Sequence, residues 1–82
     1  MNETQNKLKI KSAMADAVEF FGTAWAMAQK LEISVETVRK WKSADIRIPF
    51  FKAYLIDELT NGKVKIADLI PTHPVQRIDN KK

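Results

Sequence analysis

Cysteine is absent from the chain, and glycine is scarce, with 2 residues among 82. Without thiols there are no disulfides, no zinc knuckle and no thiol nucleophile, so packing alone must hold the fold. No glycine-rich stretch is available to cradle a phosphate. No apolar run approaches the roughly 18 residues that a membrane helix requires, and the N-terminus lacks the apolar core of a secretory signal. A cytoplasmic protein without a membrane partner is expected. The single histidine, His73, sits in the loop-forming stretch Pro71-Thr72-His73-Pro74, where no metal cluster can gather around it. The carboxylates are scattered, and several lie one helical turn from a lysine, which favours solvation or ion pairing over acid and base work. The expectation is therefore no enzyme, no cofactor, no metal site and no small-molecule substrate.

What the chain does contain is enough apolar residues for one core. Its apolar fraction of 45% is ordinary for a globular protein, and its length suits a single domain. Both ends are polar, over 1–9 and 75–82, and lack a sustained apolar period. A flexible arm over 1–11, a folded domain over 12–71 and a flexible tail over 72–82 are expected.

Helical signals fill the middle. In 12–21 a serine able to cap precedes Met14, Ala17, Val18 and Phe21 at helical spacing, and Gly22 stops the pattern, so the first helix is expected there. Thr23 can cap a second helix from Ala24 to Leu31, rich in alanine. Ser34 can cap a third from Val35 to Lys42. Ile48-Pro49 suits the start of a fourth over about 49–60, and Asn61-Gly62 suits its end. Lys65 to Ile70 allows one or two further turns before Pro71 forbids continuation. No strand survives the competing helical readings, which gives an all-α bundle of about five short helices.

The segment from Ala24 to Ser43 reads as two helices joined by a tight turn and crossing steeply, a helix-turn-helix. The crossing needs a small residue, and Ala28 supplies it. Met27, Leu31, Ile33, Val38 and Trp41 then point inward together, which makes core packing the better reading of Trp41 than stacking on a base. Any helical hairpin would explain those inward residues. It leaves unexplained an outward face of Val35, Glu36, Arg39, Lys40 and Ser43 on a short capped helix.

Charge points the same way. The net charge is +4 and the pI about 9.5, which permits a polyanionic partner. Between Glu36 and Lys52 lie Arg39, Lys40, Lys42, Arg47 and Lys52 against only Glu36 and Asp45. Long basic side chains on such a helix fit base edges and phosphates of double-stranded DNA. Arg39 is the first candidate for base recognition, since a guanidinium can take both major-groove acceptors of guanine. Glu36 can accept from a cytosine amino group or orient Arg39. Ser34 and Thr37 stand at a helix start, whose free amides suit a phosphate. The candidate DNA-contacting set is Gln29, Ser34, Val35, Glu36, Thr37, Arg39, Lys40, Lys42, Ser43 and Arg47.

Helix four carries Phe50, Phe51, Tyr54, Leu55, Ile56 and Leu59, more apolar arc than one core needs. A share of it is expected to face a second copy of the chain, with Phe50, Phe51 and Leu55 as candidate contacts and a homodimer as the assembly. The plainer reading is that Ile66, Leu69 and Ile70 cover it.

From about Ser12 to Pro71 the chain resembles the all-helical phage Cro repressors and the related YdaS-like regulators. The resemblance rests on Phe21-Gly22-Thr23, Ala28-Gln29-Lys30-Leu31, Ile33-Ser34, Thr37-Val38, Lys40-Trp41-Lys42, Ile48-Pro49, Ile56-Asp57 and Thr60-Asn61-Gly62, in that order. It implies a lambda-repressor-like fold and a repressor that binds operator DNA as a dimer. One position departs from the pattern: Glu32 stands in the turn where the family usually has glycine, a position that commonly needs the left-handed backbone region. Two other functions remain compatible with the hairpin, a protein-interaction module and an antitoxin-like regulator that binds both DNA and a protein. An adaptor has no need of Arg39 and Lys40 with basic flanks, and its binding responds weakly to salt.

Overall fold

A computed structural model describes residues 3–70 of the chain, with side chains from Gln5 onward. Five helices make up the described part: α1 (Glu3–Phe21), α2 (Ala24–Leu31), α3 (Val35–Lys42), α4 (Phe50–Leu59) and α5 (Ile66–Leu69). No strand occurs among the described residues, as expected. The tail over 72–82 and His73 lie outside them.

The first helix corrects the expected boundary. It begins at Glu3 and runs 19 residues, so 3–11 is helical and does not form a separate arm. The reason is a buried stripe, Asn6, Ile10, Ala13, Met14 and Ala17, that keeps one face of α1 against the core well before Ser12. Ser12 is an exposed interior residue of that helix and caps nothing. α1 packs on α2, α3 and α5 and so forms the floor of the domain. Gly22 ends it at φ +106, with its N–H donating to the Val18 carbonyl at 2.8 Å. A Cβ there would meet nothing within 4 Å, so the backbone angle and not space calls for glycine.

Thr23 and Ser34 cap as expected: Thr23 Oγ1 accepts from the Ala26 N–H at 3.0 Å, and Ser34 Oγ from the Thr37 N–H at 3.1 Å. Between them the turn closes in a Schellman pattern, with Ile33 N–H donating to the Ala28 carbonyl and Glu32 N–H to that of Gln29. Glu32 accordingly sits at φ 58, ψ 48, the left-handed position. The same two-bond closure recurs after α3, where Ala44 has φ 59, and after α4, where Asn61 has φ 56. All three sites hold a non-glycine residue.

Pro49 precedes the first residue of α4, and that helix buries Ala53 and Ile56. Beyond it Thr60, 2% exposed, ties the chain back: its Oγ1 donates to the Ile56 carbonyl at 2.7 Å and accepts from the Val64 N–H at 3.1 Å. Asp57 Oδ2 accepts from the Ile66 N–H at 3.1 Å and so anchors the start of α5. The pieces Ile56-Asp57 and Thr60-Asn61-Gly62 thus form one hydrogen-bonded corner. The core joins Met14, Met27, Leu31, Val38, Trp41, Ile56, Val64 and Leu69, all but fully buried. No described helix is long and apolar enough to cross a membrane.

Candidate nucleic-acid interface

α2 and α3 pack on each other, and Ala28 of α2 is buried. Met27, Leu31, Val38 and Trp41 are buried and Ile33 is partly so, packed against the core. With Val38 and Trp41 turned inward, helical spacing puts Glu36, Arg39, Lys40 and Ser43 on the opposite side of α3. All four are exposed. This face is the candidate interface.

The remaining expected residues divide. Gln29, Ser34, Lys42 and Arg47 are exposed. Val35 and Thr37 are only partly so, and Val35 packs against the edge of the core. Val35 is therefore a rim residue of α3 and not a freely projecting one. Its angular position beside Val38 accounts for this, since the start of α3 leans on the hairpin. Thr37 Oγ1 lies 2.9 Å from Ser34 Oγ, so the two hydroxyls form one polar corner at the helix start.

Arg39 Nη1 stands 3.7 Å from Glu36 Oε1, with both side chains about two-thirds exposed. An ion pair this open contributes little to stability. It places the guanidinium beside Glu36, so the two side chains lie together on the outer face of α3.

Lys52 behaves differently from its basic neighbours. Its Nζ donates to the Leu31 carbonyl at 2.7 Å and lies 5.9 Å from the Phe51 ring centroid. A charge count along the sequence groups it with the interface lysines, and only the packing of α4 on α2 turns it away from them. Trp25 is 64% exposed at the start of α2.

On α4, Phe50 and Phe51 are 66% and 63% exposed, and Tyr54 is also open. Helical spacing puts Phe51 and Tyr54 on the side away from Ala53 and Ile56, with Phe50 one turn before Tyr54. Leu55 is partly buried and packs against the core, so of the expected contacts only Phe50 and Phe51 stand fully clear. Tyr54 and Leu59, also part of the apolar arc expected on this helix, are exposed, as is Ile46 ahead of it.

The family model described as DNA-binding transcriptional regulator Cro matches residues 4–77. No curated protein and no solved structure matches the chain significantly.

Proposed function

Because the chain belongs to the family of DNA-binding transcriptional regulators Cro, we propose that it is a repressor that lays α3 in the major groove of operator DNA. The observation that carries this reading is the division of α3, with Val38 and Trp41 buried and Glu36, Arg39, Lys40 and Ser43 exposed on one face. Arg39 is the base-reading residue, forking onto the two major-groove acceptors of a guanine. Lys40, Lys42 and Arg47 neutralise phosphates, and the Ser34 and Thr37 corner meets the backbone at the helix start. Gln29 and Ser43 flank the same surface.

A recognition helix of 8 residues spans only a few base pairs. Specificity then calls for two copies reading half-sites about one helical turn apart. The exposed ridge of Phe50 and Phe51 on α4 is the surface proposed for the contact between copies.

The test begins with selection of bound sequences from randomised duplex DNA. On the selected duplex, Arg39→Ala weakens specific binding by roughly 1 to 3 kcal/mol through the lost base contact, and Lys40→Ala weakens it through a lost phosphate contact, both with the thermal midpoint nearly unchanged. Parent-like binding by both variants rejects α3 as the recognition helix.

A further inference from the structure

Leu31 is the last residue of α2. Its carbonyl is among those that a helix end leaves without an intrahelical partner. Lys52 reaches it from α4 at 2.7 Å, with a half-buried side chain, and the ammonium stands at the negative end of the α2 dipole. Such a charge-assisted bond is stronger than one between neutral groups. The turn it meets is costly by itself, because Glu32 holds the left-handed conformation there without glycine's freedom. Three residues later α3 begins, capped by Ser34. Any shift of the α2 end therefore moves the start of α3.

We propose that Lys52 is a positioning residue for DNA reading. It does not touch the duplex; it pins the turn between α2 and α3 onto α4 and so fixes the angle at which α3 presents Arg39 and Lys40. The inference rests on the reading of α3 as the recognition helix. It also links two surfaces, since the neighbouring Phe50 and Phe51 belong to the ridge proposed for the second copy. One side chain then ties the contact between copies to the turn that aims the recognition helix.

The experiment uses the full chain and a duplex enriched from a randomised pool by the parent protein, titrated across a salt series. Lys52→Met keeps the apolar stem and removes the donor and the charge, whereas Lys52→Arg keeps both. Lys52→Met is expected to weaken binding by about tenfold, because fewer molecules hold the competent turn. The dependence of log affinity on log salt stays as in the parent, since a cation that neutralises a phosphate adds roughly 0.9 to that slope and its removal would show. Amide exchange at Ile33, Thr37 and Val38 quickens in the free protein. Lys52→Arg restores both affinity and protection.

A lysine that serves stability alone lowers the thermal midpoint and leaves the affinity of the folded protein at the parent value, which overturns the proposal. A reduced salt slope also overturns it, by putting the ammonium on a phosphate. Should Lys52→Met not fold, Lys52→Gln replaces it as a neutral donor, and failure of Lys52→Arg to bind better than that variant overturns the proposal. Arg39→Ala runs in the same assay. If it binds like the parent, the recognition-helix reading fails instead, while the exchange data still report whether Lys52 holds the turn.

Discussion

Trp41 and Arg39 stand two residues apart on α3 and face opposite ways. The indole is 2% exposed and the largest of the fully buried side chains, while the guanidinium lies open beside Glu36. Truncating a buried aromatic of this size costs about 3 to 5 kcal/mol, a large part of the stability of a small domain. Trp41→Ala is expected to unfold or severely soften the chain in urea or thermal denaturation. A variant as stable as the parent would take the indole out of the core. Both orientations were legible from helical spacing alone, because a tight hairpin leaves few ways to bury Val38 and Trp41 together. Lys52 was not legible, since nothing in a run of lysines distinguishes the one that a later helix will turn toward a carbonyl. The partial burial of Val35 was hidden for a related reason. Spacing puts it at the border of the buried arc, and tertiary packing decides on which side of that border it falls.

The three Schellman closures after α2, α3 and α4 carry Glu32, Ala44 and Asn61 in the left-handed region. Asparagine tolerates that region, but alanine has no side-chain hydrogen bond to offset the clash of its Cβ, which costs roughly 1 to 2 kcal/mol. Ala44→Gly removes that clash and adds back about 0.5 to 1 kcal/mol of chain entropy. The net expectation is a small gain in stability, seen as a rise of a few degrees in the thermal midpoint of a domain this size. A fall in the midpoint would mean that the partly buried Ala44 methyl contributes more by packing than it costs by strain. Gly22 and Asn61-Gly62 announced their turns in the sequence, and Glu32 did so as a departure from a glycine. Ala44 gave no such sign, because alanine is also the best helix former. The early start of α1 was hidden for two reasons: the buried stripe opens on a polar residue, Asn6, and Ser12 offered a cap that the helix runs through.

At the scale of the molecule, a basic chain of net charge +4 presents one polar helix face on α3 and one apolar ridge on α4. Two copies are expected on one palindromic duplex, with weaker association in its absence, since a shared duplex raises the effective concentration of one copy near the other. Sedimentation with and without the selected duplex measures this, and one chain per duplex at saturation would reject the paired arrangement. The helical architecture and the inward face of the hairpin could be read from residue spacing, whereas the contact between α4 and the α2 end could not. That contact joins residues 21 positions apart and leaves no periodic trace. The two tryptophans add a property of a different kind. Trp41 is enclosed, with its Nε1 unpartnered among the described residues, and Trp25 is 64% open at the start of α2. The protein thus carries a pair of intrinsic fluorophores with separate assignments. One emits from the buried core and reports on cohesion, and the other emits from the surface and reports on whatever comes to lie against the hairpin.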